Sequence, residues 1–257
     1  MPRRYRTAPL AVPAEIPGSP YSVRILQEGF SHPPLPDGSF QADGTITLVR
    51  GGPVTLLVDT GGPWGGRRLL ELLAQQGVSP DDVTDVVCTH GHSDHAGNIN
   101  LFPKAKVMVG FDLSRGAGWY LPHPVTSGGR RELDPGLLEV MGTPGHTRDH
   151  VSVVVGGTAA GTVVVAGDTF ERDGDGDEWR GLSQDPAAQE RSRRDVVALA
   201  DVIVPGHGPP FRVIKDGDGD DDIGDAGDNV GGGRCHHWRC PQEWRPLGDM
   251  GTRRYGD

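Results

Sequence analysis

Val86-Val87-Cys88-Thr89-His90-Gly91-His92-Ser93-Asp94-His95-Ala96-Gly97-Asn98 is the stretch on which the reading of this chain turns. An apolar, strand-like run stops, and four side chains of the metal-ligating kind follow within six residues as His-x-His-x-Asp-His. Imidazole and carboxylate suit zinc and similar divalent ions. Two ions held by neighbouring ligands can activate water for attack on a phosphoryl or carbonyl centre. A polar turn with its histidines in water would explain a His-rich tract, but not this spacing directly behind a strand-like run.

The same event recurs along the chain. Val54-Thr55-Leu56-Leu57-Val58 ends in Asp59, and Leu137–Met141 leads into Thr143-Pro144-Gly145-His146. Thr162–Ala166 ends in Gly167-Asp168, and Val202-Ile203-Val204 in Pro205-Gly206-His207. Singly, Asp59 reads equally as a turn former, and His146 and His207 as loop histidines. Together they describe strand ends on a rigid sheet, a good place to hold ligands at fixed geometry.

Composition sets the bounds. The 257 residues can hold one large domain, or one domain and a tail. Hydrophobic content is only 35%, and the shortfall is uneven: residues 216–257 carry ten acidic and five basic residues and few aliphatics. That leaves 25 acidic and 20 basic residues in 1–215, a mildly acidic body without the basic footprint of a protein that clings to long duplexes. Bound metal can still create local positive charge in such a body. Three cysteines (Cys88, Cys235, Cys240) make no disulfide framework. Cys88, inside an apolar run, should pack as a small hydrophobe. No run approaches a membrane span in length, and no apolar segment follows the basic N-terminus, so the expected setting is a soluble, reducing compartment.

Residues 1–20, with five prolines, read as an irregular arm. Strands are expected at 21–26, 45–49, 54–58, 83–89, 106–109, 137–141, 151–155, 162–166 and 202–204. Helices are expected at 67–76, closed by Gly77, and at 185–200, with a shorter one from Ala96 stopped by Pro103. Residues 111–130 read as a Gly/Pro-rich connection carrying Trp119, Tyr120 and His123. Early strands followed by alternating strands and helices imply two mixed sheets flanked by helices. From Asp216 onward the Asp/Gly-rich sequence lacks the apolar content for a core, so the expected division is a domain at 1–215 and a disordered acidic tail at 216–257. A calcium loop is rejected there, because the sixth position from Asp216 is Asp221 and the twelfth is Gly227. Cys235-His236-His237-Trp238-Arg239-Cys240 has no framework around it to make a structural site.

The set of Asp59, the His-x-His-x-Asp-His loop, His146, Asp168 and His207 resembles the metallo-β-lactamase superfamily over roughly residues 20–212. That resemblance implies a four-layer αββα sandwich with its site at one edge of two sheets. It implies one zinc on His90, His92 and His146, a second on Asp94, His95 and His207, Asp168 bridging both, and Asp59 orienting the metal loop. Asp94 and Asp168 are then the catalytic carboxylates. His150 recurs in members with a Thr-Pro-Gly-His-Thr segment and reads as structural.

Fold alone cannot choose among thioester, lactone, β-lactam and phosphodiester hydrolysis. Asp59-Thr60-Gly61-Gly62-Pro63-Trp64, Tyr120-Leu121-Pro122-His123, Asp185–Arg193 and Val204–Val213 resemble an RNA-cleaving branch of the superfamily. This implies a dimeric endoribonuclease of cytosol and nucleus that cuts histone pre-mRNA near its 3′ end. His123, Tyr120 and Arg212 are candidate substrate contacts, and Arg130-Arg131, Arg191 and Arg193-Arg194 could meet phosphate. The alternatives are a glyoxalase II-like thioester or lactone hydrolase, and a catalytically silent metal-binding scaffold. The glyoxalase II group usually carries histidine where Gly91 stands, and has a C-terminal helical substrate domain without a counterpart here.

Overall fold

The computed structural model describes residues 5–10 and 15–215. In chain order, β1 (Tyr5–Pro9), β2 (Glu15–Ile16), β3 (Ser22–Gln27), β4 (Phe30–Ser31), β5 (Ala42–Asp43), β6 (Ile46–Arg50) and β7 (Leu56–Val58) precede α1 (Gly66–Gln75). Next come β8 (Asp85–Cys88), the one-turn α2 (Ser93–Ala96), β9 (Lys106–Val109), β10 (Asp112–Arg115) and β11 (Trp119–Tyr120). β12 (Arg130–Asp134), β13 (Leu138–Gly142), β14 (Val151–Thr158) and β15 (Gly161–Gly167) follow, then α3 (Pro186–Leu199), β16 (Val202–Pro205) and β17 (Phe211–Lys215).

The strands form a seven-stranded sheet, β1-β17-β16-β15-β14-β13-β12, and an eight-stranded sheet, β11-β10-β9-β8-β7-β6-β3-β2, beside the small β4-β5 pair. Side-chain alternation explains the layering. On β15, Val163 and Val165 enter the core between the sheets, where they meet Val58 and Val87 of the other sheet. Val164 and Ala166 point the opposite way, into a second core under Val196 and Val197 of α3. Both faces of β15 are therefore covered, which is why it reads as an unbroken apolar run. α1 closes the outer face of the eight-stranded sheet. Leu69 and Leu73, one helical turn apart on one face, pack on Leu48, Leu57, Val86 and Cys88. The result is the helix-sheet-sheet-helix sandwich that the resemblance implies.

Several local expectations are corrected. The arm at 1–20 contributes β1, whose five residues pair with β17, and β2, which pairs with β3. β1 is an edge held by backbone bonds with mostly exposed side chains, so it has no hydrophobic signature. The Gly/Pro-rich connection at 111–130 holds β10 and β11, which extend the eight-stranded sheet. The helix expected from Ala96 begins earlier, at Ser93, and so includes Asp94 and His95. It breaks behind Ala96, where Asn98 turns its amide to the carbonyls of Thr60 and Gly62, each at 2.8 Å. β12 and β17 escaped the pattern because each is short and half-exposed. No helix among the described residues is long and apolar enough to cross a membrane. The expected tail at 216–257, with Cys235 and Cys240, lies outside the described residues.

Leu73 is fully buried beneath α1. Leu73→Ala should cost about 2–5 kcal/mol, the range for emptying a leucine site in a packed core, read as a lowered denaturation midpoint with an unchanged slope.

Candidate metal centre

Strand direction gathers the polar side chains at one edge. β7 and β8 run parallel, as do β15 and β16. β13, two antiparallel pairings from β15, points the same way as β15. Residues following these strands thus emerge at carboxyl ends, where open α/β sheets hold their ligands.

His90 Nε2 lies 2.8 Å from His92 Nδ1, which lies 3.1 Å from His146 Nε2. Asp168 Oδ2 stands 3.2 Å from His146 Nε2 and 3.6 Å from His90 Nε2. A neutral imidazole carries a single N–H, so three converging ring nitrogens cannot all satisfy one another, whereas a shared cation satisfies every one. Beside this group, Asp94 Oδ2 is 3.7 Å from both His95 Nε2 and His207 Nε2. Asp168 closes the second group too, with Oδ1 at 3.2 Å from His95 Nε2 and Oδ2 at 3.3 Å from His207 Nε2. His95 Nε2 and Asp168 Oδ1 are buried without a hydrogen-bond partner. The donor set therefore fits two neighbouring cations that share Asp168.

The far side of each ring is held as well. Asp59 is the one described residue other than glycine with positive φ, 59°, a conformation that aspartate adopts more readily than most residues. Its Oδ1 accepts from the Thr89 N–H at 2.7 Å, and its Oδ2 from the Thr89 hydroxyl at 3.1 Å. The same Oδ2 lies 2.8 Å from His95 Nδ1, which fixes that proton there and leaves Nε2 facing inward. His207 Nδ1 is 3.2 Å from the carbonyls of Phe30 and Asp43, with the same effect. Asp168 is seated by α3, where Gln189 Nε2 donates to its carbonyl at 2.8 Å. Position 206 must be glycine, because a Cβ there would lie 1.9 Å from Asp168 Oδ1. His150 stacks against His90 at 5.1 Å and meets the Thr143 hydroxyl through Nδ1, so it supports the loop from behind.

Charge follows from this packing. Burial pushes His146 down to about 4. Burial also opposes the His207 imidazolium, but the charge and hydrogen bond of Asp168 outweigh it and hold His207 up at about 9. Sequence reasoning missed Glu171, which burial and then the charge of Asp168 push up to about 8. Its Oε1 is 3.6 Å from His146 Nδ1, and both atoms are buried without a hydrogen-bond partner. Nothing in the spacing marks Glu171, since it ends no strand; only the fold turns it inward.

The centre opens into a cleft of about 410 Å³ with Phe40, Trp64 and Leu182 on its rim. His123, Tyr120 and Arg212 do not line it. His123 Nε2 lies 2.7 Å from the Phe111 carbonyl, and Tyr120 is exposed on the outermost strand of its sheet. Arg212 pairs with Val202, at the end of β16 away from His207. The other arginines singled out from sequence are largely committed: Arg130 to Glu139, Arg131 to Asp85, Arg193 to Asp175 and Arg194 to Glu190.

Residues 41–111 match the family model described as metallo-β-lactamase superfamily. Metallo-β-lactamase domain-containing protein 1 of Xenopus laevis is 56% identical, covering 83% of this chain and 91% of the relative. The Homo sapiens protein of that name is 52% identical, covering 82% and 90%. Among solved structures, an N-acyl homoserine lactone hydrolase with product at its catalytic metal centre superposes with a TM-score of 0.56. The match covers 75% of this chain and 93% of that one at 19% identity, a likeness of fold.

Asp59→Asn keeps the backbone shape but offers one acceptor oxygen to three donors, and should weaken divalent-metal binding about 10–100-fold, measured by competition with a chelator. The proton on His207 competes with a cation in the Asp94/His95/His207 group. Its stabilisation of the ion-free fold is complete below the ordinary histidine value and lost as pH rises through about 9. Affinity there should therefore fall at least about tenfold per pH unit below that point. His146, already neutral down to about 4, adds no such dependence to the other group. Titration calorimetry in buffers of different ionisation enthalpy should show proton release, and acidification should strip the Asp94/His95/His207 group first.

Proposed function

This chain belongs to the metallo-β-lactamase superfamily of metal-dependent hydrolases, and from that premise we propose that it is a di-zinc endoribonuclease hydrolysing RNA phosphodiester bonds. The observation that carries this reading is the pair of donor groups joined by the single carboxylate of Asp168. His90, His92 and His146 would hold one ion, Asp94, His95 and His207 the second, and Asp168 both. When bound, such ions supply Lewis acidity and water that ionises near neutral pH, the chemistry suited to in-line displacement at phosphorus.

The chain's own residues supply positioning. Asp59 and the carbonyls of Phe30 and Asp43 lock the far nitrogens of His95 and His207, so neither ring turns as charge develops. His90, His95 and Asp168 are buried, which keeps bulk water off the donors from behind. Asp168 and His207 are 39 positions apart, and α3 takes up 14 of the residues between them. That leaves no room for a large cap between those two residues, and among the described residues the cleft is open, as a polymer substrate requires. Histone pre-mRNA, cut near its 3′ end by a homodimer in nucleus and cytosol, is the substrate and setting that the sequence resemblance implies.

A second reading, hydrolysis of a thioester or lactone, is favoured by one observation. Among the described residues no lysine or arginine lines the cleft, as a site for an uncharged ester would have it. Zinc-loaded protein should be offered a structured RNA, a single-stranded RNA and a thioester in parallel. The expected result is zinc-dependent RNA cleavage that Asp94→Ala lowers by roughly 100-fold or more, the scale for losing one charged contact in a transition state. Turnover of the thioester alone would assign the second reading. Two bound ions with no turnover of any substrate would leave a metal-binding scaffold.

A further inference from the structure

We propose that Phe40 and Trp64 form a stacking platform for unpaired bases flanking the scissile phosphate, so that the substrate is single-stranded RNA held by ring contacts instead of by cationic side chains. This rests on the endoribonuclease reading and deepens it. Phe40, Trp64 and Leu182 all line the cleft of the metal centre, and they are 60%, 66% and 54% exposed. Large apolar side chains left this open beside a reactive centre mark a binding surface.

Trp64 is pinned from behind. It sits in the turn Pro63–Gly65, and its Nε1 donates to Asp43 Oδ2 at 3.2 Å. The other oxygen of Asp43 accepts from the Gly62 N–H at 2.8 Å. The indole lies so close to the backbone of Gly62 that a Cβ there would stand 2.2 Å from Cζ2. The ring thus has its edge bonded and one side packed, while two-thirds of its surface faces solvent. Phe40 rides on a hairpin tied by His32 N–H to Gln41 carbonyl at 2.9 Å and Leu35 N–H to Ser39 carbonyl at 2.8 Å. A ring pre-placed as that of Trp64 is loses little entropy on binding.

Ring chemistry and charge select the occupant. A small acyl substrate is normally enclosed over most of its surface, whereas these residues are more than half open. An open ring suits the planar base of a chain that continues into solvent, and stacking on aromatic side chains accepts any base. Among the described residues no lysine or arginine lines the cleft, so there phosphate charge would be met at the metal centre. Few counterions are then released on binding, so affinity should depend weakly on salt.

The test uses the zinc-loaded full chain and a short single-stranded RNA carrying a mapped cleavage site. Trp64→Ala should raise KM about 5- to 150-fold, the range for losing one stacked base, with zinc content unchanged. Phe40→Ala should raise it less, and Trp64→Phe should restore most of the loss. An abasic nucleotide beside the cut should impose the same penalty on the wild-type protein and no further penalty on Trp64→Ala. RNA cleavage with KM unmoved by Trp64→Ala, Trp64→Phe and Phe40→Ala would overturn the platform while leaving the endoribonuclease intact. No RNA cleavage by the zinc-loaded wild type, with a thioester or lactone turned over, would overturn the reading beneath it. If Trp64→Ala fails to fold, Phe40→Ala, Trp64→Phe and the abasic substrates still decide.

Discussion

A single carboxylate, that of Asp168, faces four imidazoles within 3.6 Å while only 3% exposed. A buried charge needs opposite charge and hydrogen bonds around it, because removing it from water costs several kcal/mol. The surrounding structure answers that requirement. The His90–His95 loop, His146 and His207 converge on this carboxylate from separate strands, α3 holds its carbonyl through Gln189, and Gly206 clears space for it. Asp59 extends the arrangement outward by fixing His95. Without a cation, these groups are left as protons and lone pairs in an arrangement better suited to metal.

Legibility from sequence followed locality. The His90–His95 cluster could be read because its four donors are local, and His146, Asp168 and His207 because each ends an apolar run. Two sheets with flanking helices were legible for the same reason: strands covered on both faces, such as β15, are continuous in valine. What stayed hidden depends on partners distant in the chain. Glu171 faces His146 only once the strands are stacked. Arg131 looked available for phosphate until the fold brought Asp85, 46 positions away, to within 3.2 Å. β1 and β17 are joined by backbone bonds, which leave no trace in side-chain periodicity.

The charge arrangement around the cleft bears on substrate choice. Among the described residues, cationic side chains lie elsewhere on the surface, several of them in ion pairs, and the rim of the centre is aromatic and aliphatic. Under the proposed RNA reading, recognition by apolar contact would differ from the usual electrostatic capture of nucleic acid, trading long-range attraction for a requirement that the reacting segment be unpaired and accessible.

The donors also divide between the two sheets. Asp59 and His90 to His95 follow strands of the eight-stranded sheet, while His146, Asp168 and His207 follow strands of the seven-stranded one. An ion held by both groups acts as a rivet through the sandwich, and part of its binding energy becomes cohesion between the layers. At a free concentration a thousandfold above its dissociation constant, a ligand specific to the folded state contributes about 4 kcal/mol. That is a large share of the stability of an ordinary domain. A metal so held would tie the lifetime of the fold to the metal supply around it, and a chelator would then attack the architecture together with the chemistry.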